Sequence, residues 1–257
     1  KVFKTGLLED ADAADVGWSA VPLQRLHGDA AARALAEAGV LVRLRVKVGA
    51  LGPPCTVLWD GGALEADAVV LAVPHDAAAA LLPQGALTAG VDPARLGFSS
   101  ILNIHVGYDR RVTDLEFAAG VGTPVQFAFD RTSSSGLANG QLLAISISAA
   151  DEYADWPVER LRELFLPALA ALFPLARKAA VTHFFVTREP HATFRGSPGS
   201  AGHRPAARTE VPWLALAGAW TNTGWPATME GAVLSGLSAA EAALESGRRG
   251  VRFAGER

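Results

Sequence analysis

Cysteine is nearly missing from this sequence: Cys55 is the single one among 257 residues, so no internal disulfide can form. The six histidines are scattered and none stands with other ligands at zinc-like spacing, so no metal ligand is assigned and a reducing, cytoplasmic setting is expected. An excess of one charge is missing too. Twenty-three basic and 26 acidic residues leave a formal charge of -3, interspersed along the chain, which offers no footprint for nucleic acid. A membrane-spanning run is lacking: the uncharged stretch 211–229 is broken by Pro212, Gly218, Asn222, Gly224 and Pro226. No basic leader opens the chain, which starts at Lys1 rather than methionine, and a truncated chain is the expectation. Nor is there a Gly-x-Gly-x-x-Gly turn after an opening strand, the phosphate cradle of a dinucleotide-binding fold.

What is present is apolar and regularly patterned. Half of the residues are hydrophobic, enough for a core in one large or two modest domains. Residues 29–38 are alanine-rich and followed by Gly39, which predicts a short helix with a left-handed cap. Residues 40–48 alternate Val42, Leu44, Val46 and Val48 with Arg43, Arg45 and Lys47, the pattern of a half-buried strand. Strands are expected at 56–59 and 66–73 with a tight turn at Asp60, Gly61 and Gly62 between them, and Asp76 is placed to cap a helix running to Leu82. A second region carries strands at 99–108, 124–129, 141–148 and 180–187, and a helix at 157–173 with Asp155 as its cap. Residues 188–210 read as a long functional loop, 213–217 as a buried strand and 229–245 as a helix ending near Gly247.

The chemistry concentrates between Leu214 and Gly236. A buried strand runs into a loop in which Gly218 and Gly224 allow close backbone approach, and a helix begins after Pro226 and Thr228. Its first turn offers free N–H groups and a positive dipole end, suited to an electron-rich carbonyl edge or an anion. Gly231, Ser235 and Ser238 form a face of small side chains on which a backbone or a flat ring can lie. Physics alone leaves two readings open, a tightly packed strand and helix or a cofactor site.

This segment resembles the C-terminal flavin motif of the amine oxidase superfamily. The resemblance implies that Gly218, Trp225, Pro226, Ala227, Thr228, Met229, Glu230, Gly231 and Ala232 line FAD, and that Val48 meets its adenine. Ala219 departs from the pattern, standing where the wider superfamily has an aspartate for the ribityl hydroxyls. Blocks at 21–27, 101–106, 122–127, 184–189, 192–195 and 224–232 are similar, in order, to those of the hydroxysqualene dehydroxylases. That likeness implies a mixed α/β fold, the C-terminal part of a Rossmann-type FAD flavoprotein. Residues 1–97 would be the remainder of the FAD-binding domain with the entry to the substrate domain, 98–210 a mixed-sheet substrate domain and 211–257 the closing flavin segment.

The implied reaction is the reductive loss of an allylic hydroxyl, converting hydroxysqualene to squalene in hopanoid or squalene biosynthesis. It needs a proton for the departing oxygen and a dry cavity. His105 shares a strand face with Asn103, and Glu189 and His191 sit among the charges that follow a strand, so these three are the candidate acids; structural hydrogen bonding or solvated loop charge is the alternative for each. Phe127, Phe129, Phe184 and Phe185 are candidates to line a polyisoprenoid channel, with ordinary sheet core as the alternative. The competing enzymes are a phytoene-type desaturase and a flavin amine oxidase. The rival of another class is a non-catalytic fragment or a companion subunit, with the dinucleotide-binding half on a separate chain. An apolar substrate implies peripheral membrane contact.

Overall fold

The computed structural model describes residues 4–10, 12–15 and 17–251. In chain order the principal elements are α1 (Ala30–Glu37), β1 (Val48–Gly52), β2 (Thr56–Trp59), β3 (Gly62–Glu65), β4 (Val69–Leu71), α2 (His75–Leu81), β5 (Phe98–Tyr108), β6 (Phe117–Ala119), β7 (Phe127–Asp130), β8 (Gln141–Ser148), α3 (Val158–Leu172), β9 (Val181–Phe194), β10 (Leu214–Leu216) and α4 (Met229–Val251). They fall into two units. One takes the described residues of Lys1–Val16, Val42–Gly97 and Phe194–Arg257, and the other takes Gly17–Leu41 and Phe98–Thr193.

In the second unit, period-two alternation builds a five-stranded sheet in the order β6-β7-β8-β5-β9. β5 and β8 pair antiparallel from Ile101 opposite Ser148 to Tyr108 opposite Gln141. Leu102, Ile104 and Val106 therefore share one face with Leu143, Ile145 and Ile147, and all six are buried. α3 lays Leu161, Phe165 and Leu169, spaced four apart, onto that face. Burial of each such side chain contributes about 1.5–3 kcal/mol relative to exposure. The other face carries Ile101, Asn103 and His105 from β5 and Ala144 and Ser146 from β8. Gln141 closes the sheet's end: its amide oxygen accepts from the N–H groups of Val112 at 2.7 Å and Thr113 at 3.2 Å, and its amide nitrogen donates to the Asp130 carboxylate at 2.7 Å.

In the first unit, β1, β2 and β3 form an antiparallel meander, and β10 lies parallel to β4 with Leu214 opposite Val69. α4 packs Ala239 and Ala242 on Ala215 and Ala217 of the β10 segment. A second cluster joins Leu71, Ala78, Leu96, Leu216 and Trp220.

Several expectations are corrected. Residues 40–47 are not a strand: their alternating side chains are exposed, Val42 at 55% and Leu44 at 81%, and Arg45 has a φ of 60°, because no described strand offers their ladder a neighbour. The turn at Asp60 leads into β3, and the strand expected at 66–73 shrinks to Val69–Leu71 in the other sheet. Asp76 sits inside the first turn of α2, where it favours the dipole end, and Asp155 lies before the N-cap Pro157; neither caps through its side chain. Residues 188–194 belong to β9 rather than to a loop. Pro190 stands in β9, an edge strand, the place in a sheet where proline is tolerated. α4 continues to Val251, past Gly247.

Candidate functional site

The turn from β10 into α4 is held by its own sequence. Gly218 has a φ of 142°, and a side chain there would meet the Trp220 indole nitrogen at 2.3 Å, so glycine is required. Its N–H donates to Ser235 Oγ at 2.8 Å, and Ser235 donates in turn to the Ala232 carbonyl. Trp220 is buried and its Nε1–H donates to the Val73 carbonyl at 2.9 Å. At the start of α4, Thr228 Oγ1 accepts the Gly231 N–H at 3.1 Å, the geometry of an N-cap. Among the described residues no acceptor meets the N–H groups of Met229 and Glu230, so this helix end still presents donors outward.

The residues expected to hold a flavin are thus brought together in part. Trp225 and Ala227 are half-buried, Pro226, Thr228, Met229, Glu230 and Ala232 are exposed, and Gly231 is buried beneath them. A Cβ on Gly231 would stand 2.8 Å from the Pro226 carbonyl oxygen, so close approach is the reason for glycine in this first turn. The expected small-residue face is corrected at one position. The buried stripe is Gly231, Ser235, Ala239 and Ala242, which runs on by steps of four, four and three, while Ser238 is exposed at its margin. Val48 opens β1 in the antiparallel meander, in the same unit but on a different sheet.

Sequence reasoning missed Arg204. Its guanidinium donates to the carbonyls of Ala219 at 3.1 Å, Trp220 at 3.3 Å, Thr221 at 2.6 Å and Trp225 at 2.7 Å. Nothing in the run from Gly202 to Arg208 singles it out, because its partners are backbone atoms 15 to 21 residues away.

The three titratable candidates lie in the other unit. His105 stacks on Phe185 of β9 with ring centroids 4.4 Å apart, and burial there pushes its pKa below the usual imidazole range. His191 stacks on Phe98 at 3.9 Å. Glu189 lines a cavity of about 220 Å³ with Ser100, Ile101, Ala154 and Arg188, and Arg188 is committed to the carbonyls of Ala154 and Trp156. Phe98 and His105 are seven residues apart on one strand, roughly 23 Å, so the two imidazoles are not brought to one point. Of the phenylalanines, Phe184 packs into the core, whereas Phe127 and Phe129 stack with Phe117, itself stacked on Trp18. Phe117 escaped the sequence reading because its strand is only three residues long.

Comparison with known proteins adds the following. A family model described as flavin containing amine oxidoreductase matches residues 20–244. Hydroxysqualene dehydroxylase of Rhodopseudomonas palustris is 35% identical over 182 residues, covering 71% of this chain and 40% of that protein. A 15-cis-phytoene desaturase of Solanum lycopersicum is 28% identical over 201 residues, covering 74% of this chain and 34% of the other. Among solved structures, an oxidoreductase from Methanosarcina mazei shares the fold with a TM-score of 0.63 at 18% identity, over 83% of this chain and 53% of that one. The chain spans about half or less of the length of the proteins it matches.

Proposed function

Because the chain belongs to the flavin-containing amine oxidoreductase family, we propose that it supplies the second half of an FAD site and the substrate domain of an FAD-dependent oxidoreductase. The reaction is the reductive dehydroxylation of hydroxysqualene to squalene. The unit that holds β4, β10 and α4 is the remainder of the flavin domain, and the five-stranded sheet is the substrate domain. The observation that carries this reading is the open face of that sheet. Trp18, Phe117, Phe127, Phe129 and Phe185 make it aromatic, and Asn103, His105 and Ser146 are its polar exceptions. A long branched hydrocarbon with one hydroxyl fits such a wall, since aromatic surface covers the chain and a few polar groups fix its oxygen.

The residues present fit part of FAD. Gly218, the segment Trp225, Pro226, Ala227 and Thr228, and the outward N–H groups of Met229 and Glu230 offer a glycine-opened shelf and a positive helix end for the carbonyl edge of the ring. Glu230, Gly231 and Ala232 continue that shelf, and Val48 is the proposed adenine contact. The pyrophosphate has no glycine-rich cradle in this sequence, so that contact must come from another segment. When bound in its reduced form, the cofactor supplies the hydride that replaces the hydroxyl.

The chain's own residues bind the hydrocarbon, exclude water and deliver one proton to the departing oxygen, which leaves as water. Burial against Phe185 lowers the His105 pKa and so favours the neutral imidazole, suited to hydrogen-bond the hydroxyl; His105 also stays among the candidate acids. Glu189 and His191 are the other two candidates. An apolar substrate places the enzyme at the membrane surface, and among the described residues no helix is long and apolar enough to cross a membrane. The 28% identity to a phytoene desaturase favours polyene desaturation as the second reading. That reading requires an external electron acceptor where the first requires a reductant.

The test is a visible absorbance spectrum after incubation with FAD and dialysis, taken on this chain and on a longer form that includes a dinucleotide-binding half. A flavin band retained by the longer form, followed by reductant-dependent loss of hydroxysqualene, supports the reading. No band in either form sinks it and leaves a companion or non-catalytic role.

A further inference from the structure

The loop between β10 and α4 has no ladder to satisfy its carbonyls, and four of them converge on one cation. Oxygens of Ala219, Trp220, Thr221 and Trp225 lie within 3.3 Å of the Arg204 guanidinium nitrogens. Four like-oriented dipoles pointed at one place repel each other unless a positive group stands between them, and a buried carbonyl without a donor is costly. The neighbouring backbone reinforces the clamp: the Pro205 carbonyl accepts the Asn222 N–H at 2.7 Å, so the segment grips the loop through a side chain and through its main chain. The Phe194 ring lies 5.1 Å from the guanidinium carbon. No carboxylate among the described residues reaches Arg204, so its charge is met by dipoles and a ring face alone. Lysine could not reproduce this arrangement, because the two N–H groups of Nη2 serve three carbonyls, one N–H being shared, and Nε serves the fourth from a fixed planar fork.

We propose that Arg204 is the positioning residue of the flavin loop: by holding these four carbonyls it sets where Trp225 and the first turn of α4 stand, and flavin affinity depends on it. The proposal rests on the FAD reading above, and its test separates the two. In the full-length protein, Arg204→Met and Arg204→Lys are compared with the wild type by amide hydrogen exchange without FAD and by absorbance titration with FAD. For Arg204→Met, exchange at 219–225 should quicken about tenfold or more while β8 amides keep their rates, and FAD should bind about tenfold more weakly, with Arg204→Lys between the two proteins in both respects. Unchanged loop exchange in Arg204→Met overturns the clamp, and faster exchange with unchanged FAD affinity overturns the positioning role. If the wild type itself takes up no FAD, the cofactor reading fails and the flavin half of this proposal fails with it, while loop exchange still decides whether Arg204 shapes the loop.

Discussion

Single residues here act through the groups they satisfy. Gln141 is 1% exposed and answers two backbone N–H groups, one carbonyl and the Asp130 carboxylate. Gln141→Ala takes the shared acceptor from the Val112 and Thr113 N–H groups, while the Thr113 carbonyl keeps Arg111 and Asp130 keeps Thr132; the expected loss is about 3 kcal/mol in a denaturant titration, with Gln141→Leu no better because volume is not what the site lacks. Asp130 itself is desolvated, yet hydrogen bonds from Thr132 and Gln141 and the Arg111 charge hold its carboxyl below the usual range. At His105 the fold favours the neutral form instead of the charged one. Its folded pKa lies below the unfolded value near 6.5, so its contribution is fully present above that value and is lost as pH falls through the folded pKa. Melting temperature should therefore fall between pH 7 and pH 5, and His105→Asn should flatten that slope; an unchanged slope would show that other groups carry it. The roles of Gln141 and Arg204 were illegible in the sequence, because nothing local marks a side chain whose partners are distant backbone atoms.

Elements were legible in proportion to how far their own side chains decide their packing. The bounds of β2 and β8 were foreseen to the residue, since each is bracketed by turn residues and β8 alternates cleanly between a buried and an open face. The buried stripe of α3 follows from Leu161, Phe165 and Leu169 at helical spacing. Phe165→Ala should cost about 3–5 kcal/mol, read as a lowered denaturation midpoint at constant slope. Where structure depends on a neighbour, reading failed: residues 40–47 have a strand's pattern and no described partner, and β9 runs on through a charged segment and a proline because β5 lies beside it. The turn into α4 was recognised as chemistry but not in its internal bonding. Gly231→Ala would press a methyl against the Pro226 carbonyl, at a strain of about 1–3 kcal/mol. Flavin retention should drop while the circular dichroism of the protein stays unchanged.

At the scale of the molecule, both units are assembled from separated stretches: one unit's described residues are drawn from Lys1–Val16, Val42–Gly97 and Phe194–Arg257, the other's from Gly17–Leu41 and Phe98–Thr193. A chain that leaves each unit and returns has many contacts between residues distant in sequence, which predicts slow refolding with populated intermediates, measurable as more than one kinetic phase after dilution from denaturant. The mixed α/β class was readable through the resemblance carried by the segment 214–236 and the ordered blocks before it, whereas the interleaving was not, since no boundary residue signals that 17–41 joins the later sheet. One detail of that sheet bears on the behaviour of many molecules rather than one. β9 borders the sheet with 14 residues, and an uninterrupted edge of that length is a template on which a second molecule can add a strand. Pro190 breaks the regularity of that template just after the charged pair Arg188 and Glu189, a guard against edge-to-edge pairing; Pro190→Val should leave the fold intact and raise light scattering on concentration.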